Sequence, residues 1–237
     1  MPLAHQVGTP GEFAEWLDDI EDQAKRRFNW TIGLSGDRHR LAWLHRGRPP
    51  FPGWYPHDEG GAPEAFWIDF KDRAGRTRAT AGALRYLLGP ANLANWINAG
   101  GMNADGHRIT IEGEAAAEAS AIRLEVGFSG NLWVPDDADR ATDQSRWLTE
   151  IVPLLNKVIA ASLWPSVESF ITFVRDIQVN HLAPRYRLPI LVPGVKWWQR
   201  FDGTTSLHLG VQTLDELQQS IRDQGSRSKR PRARSAA

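Results

Sequence analysis

Between residues 140 and 164 the apolar side chains Trp147, Leu148, Ile151, Leu154, Leu155, Val158, Ile159 and Leu163 recur at helical spacing and form one stripe. No other segment restricts the architecture as much. The stripe is flanked by AIRLEVGFSGNLWV and SFITFVRD, both of which read as strands, so the helix is predicted to be the central packing element. Pro153 lies inside it and costs about 3 kcal/mol in a regular helix interior, which predicts a kink there or a late helix start.

Around this unit the chain alternates helical and extended patterns. TPGEFAEWLDDIEDQAKRRF predicts a helix with Thr9 as N-cap, Pro10 in the first helical position and Glu12 completing a capping box; Phe13, Trp16, Leu17, Ile20 and Ala24 form its inner face. RLAWLHRG reads as a short strand and RPPFPGWYP as a proline-punctuated loop. FWIDFKDRAGRTRATAGALRYLL predicts a hairpin turning at Ala74 and Gly75. PANLANWINAGG reads as a short helix, and HRITIEGEAA as a brief strand or extended connection. The strand after Ser120 is expected to bend at Gly127 or Gly130. IQVNHLAPRYR predicts a helix ending near Pro184, GVKWWQRF and SLHLGVQT a closing hairpin, and LDELQQSIRDQ a final amphipathic helix. The order implies an α+β fold with a mixed, mostly antiparallel central sheet flanked by helices. No solenoid-type repeat is present.

The 237 residues suit one principal domain, here 1–225, with 226–237 as a disordered basic tail. The composition is that of a globular protein, no apolar run is long enough for a membrane span, and the first thirty residues lack an export pattern. Residence in the cytoplasm is the expectation. Without cysteine there is no disulfide, thiol nucleophile or thiolate ligand. Net charge is zero, but the last twelve residues carry five Lys or Arg, leaving 23 basic against 28 acidic residues in the body. An acidic body argues against nucleic acid as a partner except through the tail.

Several chemistries have no foothold. There is no Walker A loop and no GxGxxG, and GFSGN misses the nucleophile elbow because Asn131 replaces its last glycine. The seven histidines form no HExxH pair or other ligand spacing, so no metal site is expected. Asp18 with Asp19, and Asp136 with Asp137, read as solvated faces. The eleven tryptophans, including Trp43, Trp54, Trp67, Trp197 and Trp198, are read mainly as core.

Element order and three stretches resemble the GNAT superfamily of acyl-CoA-dependent N-acetyltransferases over most of residues 10–220. LWVPDDADRATDQSRWL is similar to that family's central strand and pyrophosphate loop, with Arg140, Asp143 and Ser145 aligned to its Q/R-x-x-G-x-G/A pattern. NHLAPRY, with Asn180, Ala183 and Tyr186, is similar to its N-x-x-A-x-x-x-Y helix, the Tyr arriving one residue early. SFITFVRD and the closing hairpin stand where the family has its last three strands. The resemblance implies acetyl-CoA or another acyl-CoA as cofactor, with Leu132 and Val134 on its pantetheine arm. It further implies Arg140, Thr142, Asp143, Gln144, Ser145 and Asn180 as cofactor-binding positions, and Tyr186 as the acid for the departing thiolate. The acceptor would be a small-molecule or peptide amine, and no residue stands out as base.

Asp143 departs from this pattern where the family has glycine. A carboxylate about 5 Å from a diphosphate at an effective dielectric near 20 is repelled by about 3 kcal/mol. Thr142 or Asp143 is expected to cap the helix instead, with Arg140 and Arg146 as the nearby cations. Two functions follow: an N-acyltransferase with a divergent cofactor loop, or a non-catalytic binding or regulatory module that keeps the fold. A nucleic-acid accessory role acting through the tail is a third, weaker alternative.

Overall fold

The computed structural model describes residues 1–9, 11–44, 64–103, 106–134, 143–200 and 203–228. Among these residues eight strands form one sheet: β1 (Thr31–Ser35), β2 (Glu64–Lys71), β3 (Thr77–Asn92), β4 (His107–Ile111), β5 (Arg123–Trp133), β6 (Ser169–Arg175), β7 (Ile190–Gln199) and β8 (Gly203–Thr213). Their order is β1-β2-β3-β5-β6-β8-β7-β4, and every pairing is antiparallel except β5 with β6. The helices are α1 (Leu3–Val7), α2 (Glu12–Phe28), α3 (Arg38–Leu44), α4 (Leu93–Asn98), α5 (Gly113–Ala119), α6 (Asp143–Leu163), α7 (Val179–Tyr186) and α8 (Leu214–Ser228). This is the expected α+β class, with a mostly antiparallel sheet flanked by helices.

The sheet separates two apolar cores. On one side Leu17 and Ile20 of α2, Leu217 of α8 and the stripe of α6 pack on Phe66, Phe70 and Phe170. On the other, Leu93 and Ile97 of α4 and Ala115 of α5 pack on Tyr86, Phe128 and Leu209. α6 is the centre of the first core, and every residue from Ile151 to Ala160 is buried. Its aromatic end joins Trp147 to Phe28 and Phe70 in edge contacts of 5.4 and 6.0 Å. No helix among the described residues is long and apolar enough to cross a membrane.

The hairpin forms as its turn chemistry dictates. Asp72 Oδ1 accepts from the N–H groups of Ala74 (2.9 Å) and Arg76 (3.1 Å), and Gly75 supplies the positive φ of 75°. The strand β5 bulges just beyond Gly130, where the register shifts from Gly82↔Gly130 to Thr80↔Trp133.

Five local expectations need correction. Thr9 does not cap α2: its hydroxyl has no partner among the described residues, and the helix starts at Glu12 after Gly11, with Pro10 outside the described residues. RLAWLHRG is not a strand up to Leu44 but mostly α3, because Asp37 Oδ1 accepts from Arg40 N at 3.0 Å and starts a helix; the strand is TIGLS before it. GEAAAEA is a helix rather than an extended connection, as its alanines favour. Pro184 does not end α7, which continues to Tyr186 and stops at Arg187 in the left-handed region; the proline forgoes only the bond to the carbonyl of Asn180. Finally, α8 runs to Ser228, three residues into the expected tail, whose remainder lies outside the described residues.

Candidate functional site

The parallel partners β5 and β6 are registered only at Gly127↔Phe170 and Phe128↔Ile171. Beyond that point they part. The gap is a cavity of about 720 Å³ lined by Ser129, Gly130, Leu132 and Trp133 on one edge, Thr172 to Arg175 on the other, and α6 and α7 above. Trp197 and Leu207 line its far end, so the slot reaches through the sheet toward the second core.

Polar groups gather at its floor. Phe170 packs in the α6 core and Phe128 in the opposite one, so by strand alternation Thr172 and Ser129 both face α6. There they meet Asn156 and Lys157, and all four are buried. Asn156 Nδ2 donates to the Gly82 carbonyl at 3.0 Å, while its Oδ1 is buried without a partner among the described residues. Lys157 Nζ donates to Gln212 Oε1 at 2.8 Å. Burial pulls its ammonium down to about 7, partly offset by the Glu216 carboxylate. Higher in the slot, Arg185 donates to Thr149 Oγ1 at 3.0 Å, joining α7 to α6. Tyr186 is half-buried, and desolvation pushes its phenol up to about 12.

Of the positions named from sequence, Leu132, Val134, Ser145 and Tyr186 line the slot. Asn180, by contrast, is exposed on α7, and neither it nor Gln144 is part of the lining. Arg140 and Thr142, with the turn after Val134, lie outside the described residues. Asp143 is in the first turn of α6, where a carboxylate favours the helix, and its Oδ2 accepts from Arg27 Nη2 at 2.7 Å. Arg140 and Arg146 are therefore not the only cations at hand: α2 brings Arg27 from 116 positions away. Trp67 and Trp197 are buried, Trp43 and Trp198 are exposed, and Trp54 lies outside the described residues.

Asn156, Lys157, Thr172 and Arg185 were missed by sequence reasoning. For the first two a signal existed. IVPLLNKVIAA is apolar nearly all round, so its two polar residues have no solvated face to occupy. Among the described residues no Asp, Glu or His lines the slot.

No protein-family model matches the sequence, and no curated protein matches it. The chain is similar in structure to NAA60 from Arabidopsis thaliana in complex with acetyl-CoA, at 13% identity over 78% of this chain and 100% of that one, with a TM-score of 0.42. It is also similar to a variant of the spermidine N-acetyltransferase SpeG from Vibrio cholerae, at 7% identity over 79% and 95% of the two chains and a TM-score of 0.43. TofI, in a ternary complex with an inhibitor and MTA, matches at 10% identity over 81% and 96%, with a TM-score of 0.40.

Proposed function

We propose that the protein is an N-acyltransferase that holds an acyl-CoA in the β5–β6 slot and passes its acyl group to an amine. The observation that carries this reading is the parting of β5 from β6 after two registered pairs. It leaves the backbone edge of β5 from Ser129 onward beside a cavity rather than beside a strand. A strand edge with no neighbouring strand in register can take up an extended amide-bearing arm. The orphaned Oδ1 of Asn156 fits the same ligand, since it would accept an amide N–H.

Acyl-CoA would supply a thioester-activated acyl group. Arg185 and Arg175 at the slot, with Ser145 in the first turn of α6, would meet its anionic end. Tyr186, kept protonated by burial, would give a proton to the leaving thiolate.

Acetyl-CoA is expected to stabilise the fold by about 2.7 kcal/mol at one hundred times its dissociation constant, read as a thermal shift. No shift at millimolar ligand would remove the reading. Asp143→Gly removes a carboxylate from the start of α6 and releases Arg27. It should tighten acetyl-CoA by about tenfold, roughly 1.4 kcal/mol, in isothermal titration; unchanged or weaker binding would show that Asp143 does not oppose the ligand.

A second reading, a non-catalytic binding module, is favoured by the lack of Asp, Glu and His among the described residues of the slot. Its signature is an acetyl-CoA shift without thiol release when spermidine or a peptide amine is added.

A further inference from the structure

Lys157 is a buried amine that the proposed chemistry leaves unused. It is 1% exposed, it lines the slot, and among the described residues its Nζ donates to a neutral acceptor, Gln212 Oε1. Gln212 is itself held from behind, its Nε2 donating to Ser220 Oγ at 3.0 Å. Gln212 is registered with Phe170, and Phe170 with Gly127, one of the two pairs at which β5 and β6 still meet. An amine fixed there has little freedom to leave the cavity.

We propose that Lys157 is an acyl acceptor built into the slot, and that a bound acyl thioester modifies it to an Nε-acyl-lysine. This rests on the reading of the slot as an acyl-thioester site. In the step, the Nζ lone pair adds to the thioester carbonyl. A C–N bond forms, the C–S bond breaks, and the proton released by nitrogen ends on the departing thiolate. The products are an amide and a free thiol, and no oxidant or further reactant is consumed. Because an amide is not readily reversed, the modification is stoichiometric and fills the slot with an uncharged group.

The geometry suits an amine rather than an ammonium. A charged Nζ at this depth has one neutral acceptor, and burial brings its pKa to about 7, so a large share is nucleophilic near neutrality. The Glu216 carboxylate of α8 favours the ammonium against the burial that disfavours it, and Arg175 of β6, Arg185 of α7 and the protonated Tyr186 are the other titratable groups that line the slot. No carboxylate or imidazole among the described residues of the slot competes for the acyl group.

The chain has five lysines, Lys25, Lys71, Lys157, Lys196 and Lys229, so peptide mass mapping resolves each one. The full chain is incubated with acetyl-CoA, and separately with S-acetyl-N-acetylcysteamine, a short thioester that needs no diphosphate contact. Lys157 is expected to gain the acetyl mass at least about tenfold faster than Lys25, Lys71 or Lys196, with a rate that rises to a plateau above about pH 7. Lys157→Met should abolish that label and leave the others unchanged. Acetyl-CoA that shifts the melting temperature without preferentially labelling Lys157 overturns the inference and leaves the acyl-CoA reading standing. If acetyl-CoA produces no shift, that reading falls, and the short thioester decides: preferential labelling of Lys157 upholds the acceptor role, and labelling no faster than the surface lysines ends it.

Discussion

Lys157→Met is expected to make the protein more stable than the wild type at neutral pH, and the advantage should shrink as pH rises. In the folded chain the Lys157 ammonium loses its proton near 7, against an ordinary value of 10.5. Between those values the unfolded chain holds a proton that the folded chain has released. Unfolding then takes up a proton, and wild-type stability rises with pH by about 1.4 kcal/mol per unit. As pH falls below about 7 both states become protonated and the burial penalty approaches its full value of about 5 kcal/mol. Methionine escapes it but leaves Gln212 Oε1 without its donor, which costs about 1 to 3 kcal/mol. A net gain of about 2 kcal/mol at pH 7 that vanishes near pH 9 is the expected result of paired urea titrations. A difference that stays constant across this range would mean that Lys157 titrates normally in the folded protein. A site that carries such a cost is more often functional than structural.

Gly127→Val should destabilise the protein by about 3 kcal/mol, although valine is the better strand former. A Cβ at residue 127 would stand 2.6 and 2.8 Å from ring atoms of Phe170 and 3.3 Å from Val167 Cγ1. Phe170 is fully buried, so the ring has nowhere to go. Position 127 is also one of the two registered pairs between β5 and β6, and a wedge there pries at the narrow end of the slot. For a chain of this size the loss amounts to about 6 to 12 °C in melting temperature. Adding Phe170→Leu should recover about 1 kcal/mol or more relative to the sum of the single effects. Stabilisation by Gly127→Val would show that strand propensity outweighs the close approach.

Much of the fold was legible because burial imposes a period on the sequence. The apolar stripe of α6, and Asp72 with Gly75 in the turn between β2 and β3, state locally what the chain does there. Where packing outvoted local signals, the reading failed. Arg38 to Leu44 carries apolar residues that suit either a strand or a helix, and the Asp37 cap decides for the helix. Pro184 normally stops a helix, but α7 spends one hydrogen bond and continues, bringing Tyr186 to the slot.

The candidate site had no such periodic trace, and its positions were named only through the resemblance. Leu132, Val134, Ser145 and Tyr186 sit on elements whose order follows from the pattern, and the structure brings them to one cavity. Asn180 shares α7 with Tyr186 but faces solvent. The pairing of Asp143 with Arg27 spans 116 positions and has no local trace.

From sequence alone follow the α+β class, the central helix and the absence of any cysteine from the chain, since these depend on composition and short-range periodicity. Only the tertiary structure decides that β5 and β6 separate after two pairs, that Asn156 and Lys157 lie beneath the opening, and that burial lowers the pKa of Lys157. A pKa and a cavity are properties of what surrounds a residue, and those surroundings are assembled from segments far apart in the chain.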